Sequence, residues 1–174
     1  MADDPKVIRM ARTLVAAMLL ALALTPVAAA APRPPKVPLW ATVNICDTAK
    51  HPSAIGIRAS MPGLPRKSVR LYMRFRVQWR DPADKLWHNI LGTGGNSGFV
   101  KIGSGKATRQ AGQIFRYEKP AAGETLRLRG VVDFQWRVAN KVVRHSRRIT
   151  EKGHRSTAGA DPKTFSAAAC VLRG

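Results

Sequence analysis

The sequence predicts an all-β chain, folded as an antiparallel two-sheet sandwich of about eight or nine strands. Two stretches carry most of that expectation. In Val69–Arg80, the residues Val69, Leu71, Met73, Phe75, Val77 and Trp79 alternate with Arg70, Tyr72, Arg74, Arg76, Gln78 and Arg80. In Leu126–Val138, the residues Leu126, Leu128, Gly130, Val132, Phe134, Trp136 and Val138 alternate with Arg127, Arg129, Val131, Asp133, Gln135 and Arg137. A period of two marks half-buried strands, because successive side chains leave a strand on opposite faces. The third observation is punctuation: apolar runs recur at short intervals between Gly, Pro, Asp and Asn, and no amphipathic helical period interrupts them.

Residues 1–30 read as a secretory leader ahead of the fold. Lys6, Arg9 and Arg12 precede an apolar run, Leu14–Leu24, which breaks at Pro26 and ends in Ala28–Ala31. The run is shorter than the ~20 residues of a comfortable membrane span. Pro32 sets the cut after Ala30, so the mature chain is expected to start at Ala31. Asp3 and Asp4 are out of place in a leader, and Met10 makes the better start. Residues 31–38, with Pro32, Pro34, Pro35 and Pro38, form a stiff extended linker ahead of one domain over 39–174.

Within that domain, Leu39–Asp47 and Ala54–Met61 read as the first two strands, divided by His51-Pro52-Ser53. Pro62-Gly63-Leu64-Pro65 turns the chain into the first long alternating strand, and Asp81-Pro82-Ala83-Asp84 ends it. Lys85–Leu91 returns as a shorter strand, and Gly92–Gly98 is a glycine-rich loop. Phe99–Ile102 and Gln113–Glu118 are two more strands. Pro120-Ala121-Ala122-Gly123 leads into the second long strand, which a tight hairpin at Asn140-Lys141 joins to Val142–Thr150. That register sets Asp133 opposite Arg148, Trp136 opposite His145, and Arg147 beside Phe134 on the apolar face. Glu151–Ala160 is a polar loop, Asp161-Pro162 signals a short helical turn, and Ser166–Leu172 is the last strand.

This succession of strands resembles the immunoglobulin and fibronectin type III sandwiches of secreted bacterial modules. In that likeness the strand bearing Trp79 takes the place of strand C, and Leu126–Val138 that of strand F. The resemblance implies that the two long strands are neighbours in one sheet. It is one of strand pattern over nearly the whole mature chain and implies no activity.

Two cysteines, Cys46 and Cys170, lie near the two ends of the domain. Export permits a disulfide, and two cysteines pair in only one way. The expectation is a bridge from the first strand to the last, which sets this chain apart from the antibody pattern. The full chain carries a formal charge of +20; residues 1–30 hold three basic and two acidic side chains, which leaves +19. Such an excess favours solubility and attraction to polyanions. Arginine outnumbers lysine and alanine is abundant, a bias that a GC-rich genome also produces.

The catalytic inventory is thin. Asp81, Asp84 and Asp161 stand at turn and capping positions, and no spacing sets two carboxylates across a cleft as a glycosidase needs. His51, His88, His145 and His154 are scattered, without the spacing of a metal site. Gly103-Ser104-Gly105-Lys106 lacks the upstream glycine (Val100 stands there) and the following Ser or Thr (Ala107) of a phosphate loop. Gly153–Gly159 combines a histidine, an arginine and hydroxyls without an orienting carboxylate. No catalytic residue, cofactor or metal is expected. The contrasting possibilities are an enzyme site built from the loops Gly92–Gly98 and Glu151–Ala160, and an interaction subunit for an acidic protein.

The remaining candidate is the arginine face itself: Arg70, Arg74, Arg76 and Arg80 beside Arg127, Arg129 and Arg137. A planar, permanently charged fork suits phosphate and carboxylate. The expected partner is an anionic polymer or surface of the cell envelope or exterior: teichoic acid, acidic polysaccharide, phospholipid headgroups or nucleic acid. For nucleic acid, Tyr72 is the only aromatic that the alternation places among the arginines, whereas single-strand binders use several rings. The competing explanation is that the arginines only solvate a strand face.

Overall fold

The two alternating stretches become two of the longest strands of the domain, and they pair with each other. In a computed structural model, which describes residues 39–154 and 156–174, nine strands follow in order. They are β1 (Trp40–Thr48), β2 (His51–Met61), β3 (Val69–Arg80), β4 (Trp87–Asn89), β5 (Asn96–Ser104), β6 (Arg109–Arg116), β7 (Thr125–Val138), β8 (Lys141–Ile149) and β9 (Cys170–Arg173). The expected leader and linker lie outside the described residues. Among the described residues, no helix is long and apolar enough to cross a membrane.

The strands form two antiparallel sheets. One has the order β1-β2-β6, and the other is built on the antiparallel pair β3 and β7. That pair runs from Val69 opposite Val138 to Trp79 opposite Leu128 without a register shift. Shorter strands flank it end to end: β4 and β5 on the far side of β3, β8 and β9 on the far side of β7. The chain is thus an all-β two-sheet sandwich, as expected, with the two long strands adjacent.

The apolar halves of the alternation meet in the core. Val69, Leu71, Met73, Phe75 and Val77 of β3 join Leu128, Val132, Phe134 and Trp136 of β7, all buried. Ala41, Val43, Ile55, Ile57, Ala59, Met61 and Phe115 face them from the smaller sheet. Trp136, fully buried, donates its indole N–H to the Pro62 carbonyl at 2.9 Å, so its one polar group is not left unpaired in the core. A disulfide joins Cys46 of β1 to Cys170 of β9, with a Cα–Cα distance of 5.3 Å. The bridge therefore links the first strand to the last and one sheet to the other.

Several boundaries differ from the sequence expectation. The Asp81–Asp84 turn consumes Lys85 and Leu86, so Lys85–Leu91 shrinks to the three residues of β4. The end of the glycine-rich loop pairs with β3 instead, extending Phe99–Ile102 to Asn96–Ser104. Gln113–Glu118 shifts to Arg109–Arg116, whose partner is β2. The expected last strand, Ser166–Leu172, is regular only from Cys170 and runs on to Arg173. No helical turn forms at Asp161-Pro162, because Asp161 is drawn onto β1: its N–H donates to the Asn44 carbonyl at 2.9 Å, and its carboxylate accepts from the Thr48 hydroxyl.

The hairpin register is also corrected. The turn falls at Ala139-Asn140, with Val138 opposite Lys141, and a bulge follows between Trp136 and Arg137. An early turn moves the partner by two residues and the bulge restores one. The net slip of one exchanges the faces of β8. Arg147 thereby leaves Phe134, which pairs with Ser146, and lands opposite Asp133; Trp136 faces Arg144 rather than His145.

Candidate anion-binding face

The polar halves of β3 and β7 make the outer face of the larger sheet, and the register decides what each arginine meets there. Arg74 lies directly opposite Asp133. The Asp133 carboxylate, the one acid among these positions, is buried and receives three guanidiniums. Arg74 and Arg76 approach Oδ2 at 3.0 Å, and Arg147 donates from Nε to Oδ1 at 2.7 Å. Burial pushes the carboxyl pKa up. The hydrogen bond from Arg147, the Arg76 charge and the hydrogen bond from Arg74 more than offset that, and the net shift is below the ordinary 3.8.

The other arginines are held by acceptors and rings. Arg129 lies opposite Gln78, donates from Nε to its side-chain oxygen at 2.8 Å, and covers the Trp87 ring at 4.3 Å. Burial, with the Arg80 charge beside it, lowers the pKa of Arg129 from its ordinary value. Arg137 sits opposite Arg70, a like-charge pair. It turns toward Gln135, to which Nε donates at 2.9 Å, and stacks over Tyr72 at 4.3 Å and Phe99 at 5.0 Å. Phe99 also lies under Arg74 at 4.7 Å. Each such cation–ring contact is worth about 0.5–1 kcal/mol where water still reaches it. Arg70 and Arg127 are exposed, and Arg80 lies opposite Trp87.

The seven arginines therefore do share a sheet face but are held differently. Arg74 and Arg76 are committed to Asp133, together with Arg147, which the expected register had placed on the apolar side. Arg129 and Arg137 are fixed through Nε and ring stacking. A cleft of about 420 Å³ opens beside the Asp133 cluster, lined in part by Arg74, Phe99, Gln135, His145 and Arg147. Phe99 and Trp87 join Tyr72 as ring partners. The alternation could not reveal them, because they arrive from the short flanking strands.

The histidines and acids fall elsewhere. Asp81, Asp84 and His88 each offer a ligand atom within 4.8 Å of the others, a grouping that the sequence spacing did not suggest. Both carboxylates already anchor the turn, accepting from the Ala83 and Leu86 N–H groups at 2.7 Å, and His88 pairs with Asp84 at 2.7 Å. The two loops considered for an enzyme site are not brought together. Gly92–Gly98 is tied to Val77 and Tyr117, whereas Glu151 and Asp161 bond β1, across the smaller sheet from β6. His154 stacks on Trp40 at 4.6 Å and pairs with Glu151 at 3.0 Å.

No protein-family model matches the chain, and no curated protein matches it in sequence. The face is read from its own chemistry.

Proposed function

We infer that the protein is an exported binding module, not an enzyme, that uses the outer face of its larger sheet to hold a linear anionic polymer of the envelope or cell exterior. The observation that carries this reading is the way Arg129 and Arg137 are held. Each is braced through Nε by a glutamine and by aromatic rings, so little side-chain entropy remains to be lost on meeting an anion. Arg70, Arg80 and Arg127 extend the positive surface around them. The disulfide supports an oxidising, extracytoplasmic location. Phosphodiester chains such as teichoic acid suit the guanidinium fork best. Acidic polysaccharide, anionic lipid headgroups and nucleic acid are the comparison ligands.

The test is binding to purified teichoic acid across a salt series, with the comparison ligands in parallel. Changing Arg127, Arg129 and Arg137 together to Gln is expected to weaken binding and flatten its dependence on salt by about two ion equivalents. Arg74 and Arg76 are left intact, because their loss would strand Asp133. An unaltered affinity and slope in the triple variant would overturn the reading.

A further inference from the structure

We propose that β8 is an open docking edge that accepts an extended acidic segment of another protein as an added strand. This surface is separate from the arginine-face reading. Among the described residues β8 pairs only with β7, and eight of its nine residues are exposed. The first strand is treated differently. The edge of β1 is covered by Ala167, which exchanges backbone hydrogen bonds with Val43 at 2.9 and 3.0 Å, and by the N–H groups of Glu151 and Asp161. No comparable backbone partner lies along β8 among the described residues.

The ladder shows which groups are on offer. Thr150 donates its N–H inward to Gly130 at 2.9 Å, and the register is regular from Ile149 to Arg144. Hydrogen-bonded pairs alternate along antiparallel strands, so the N–H and C=O groups of Ile149, Arg147 and His145 point away from β7. An incoming strand would find those groups free.

Charge identifies the occupant. Lys141, Arg144, Arg147 and Arg148 lie on β8 with no acid among its residues. Their side chains are spread over both faces, since Arg144 and Arg148 pair with inward-facing Trp136 and Val132, and Arg147 with outward-facing Asp133. A second copy of the chain would set these cations against their own kind. The linker at 31–38 is also a poor strand, because its prolines have no N–H to donate and Arg33 and Lys36 add charge of the same sign. An acidic strand meets its complementary charge in Arg144 and Arg148, while Arg147 on the opposite face is already paired with Asp133. It also meets apolar anchors at the two ends, Ile149 at one and Val143 at the other. Beside Val143 a cleft of about 390 Å³ is lined by Leu64, Pro65, Val69 and Val138.

The experiment measures binding of a capped peptide of about six residues, built from glutamate and valine, to the oxidised protein at moderate salt. Its controls are the same peptide N-methylated on alternate residues and a lysine–valine counterpart. N-methylation keeps the charge and removes the strand-forming donors. The expected result is binding of the acidic peptide, a roughly tenfold loss on N-methylation, and no binding of the lysine peptide. His145→Pro, which removes an outward N–H from an edge position, is expected to give a similar loss. The Arg127, Arg129 and Arg137 triple Gln variant should keep its affinity for the peptide while its polymer binding weakens, which separates the two proposals. Equal binding of the N-methylated peptide would show that charge alone suffices and overturn the proposal. So would failure of the acidic peptide to bind, or a stable dimer that His145→Pro abolishes.

Discussion

Asp133 and Arg147 face one another across β7 and β8, with Oδ1 and Nε 2.7 Å apart on the outer surface of the larger sheet. Arg74 and Arg76 close on the other carboxylate oxygen from β3, so one acid clasps three strands and neutralises part of an otherwise cationic face. Asp133→Asn keeps the shape and removes the charge, leaving three guanidiniums crowded without a counter-ion. The expected cost is about 3 kcal/mol, read from urea unfolding at neutral pH.

The same carboxylate governs behaviour in acid. Its folded pKa lies below the ordinary 3.8, so its contribution is complete at higher pH and is lost as pH falls below that value toward the folded pKa. Unfolding free energy should therefore decline between about pH 5 and pH 2, with a shallower decline in Asp133→Asn. Equal slopes in the two proteins would contradict this account.

Thr150, just after β8, ties the central strand β7 to the segment leading into β9 with one hydroxyl. It accepts from the Gly130 N–H at 3.0 Å and donates to the Ala168 carbonyl at 2.6 Å, in a buried position. Thr150→Val preserves the shape but leaves both backbone groups unpaired. A loss of about 2 kcal/mol is expected, with faster amide exchange at Gly130.

Phe99 supports Arg74 and Arg137 without contributing charge. Phe99→Leu should cost about 1 kcal/mol in stability. On the polymer-binding reading it should also lower affinity a few-fold while leaving the salt slope unchanged, because the number of neutralised anions is the same. A changed slope would mean that the ring's loss alters which cations bind.

Replacing Cys46 and Cys170 by Ala opens a loop whose ends are 124 residues apart in sequence. The chain-entropy estimate gives a loss of about 5 kcal/mol, to be measured by denaturant unfolding of the variant against the oxidised protein.

Much of this fold was legible where one physical rule acted alone. Strict alternation placed β3 and β7, and two cysteines left one pairing. The hairpin after β7 was not legible, because Ala139 adopts a positive φ of 50° and an added residue at the bulge reverses which side chains face out. That single slip hid Arg147 as a partner of Asp133. Phe99 was visible as a strand residue, yet its position beneath Arg74 depends on a register shift in the pairing of β3 with β5. Local pattern encodes which face a residue occupies, whereas its cross-strand neighbour is set by turns and bulges between strands.

The bridge between the first and last strands has a mechanical consequence. Tension applied at the two ends of the oxidised chain enters at β1, crosses the covalent link from Cys46 to Cys170, and leaves through β9. The intervening 124-residue span, roughly 400 Å of contour when extended, is bypassed by the load. Pulled from its termini, the oxidised domain is nearly inextensible, and reduction converts it into a long tether.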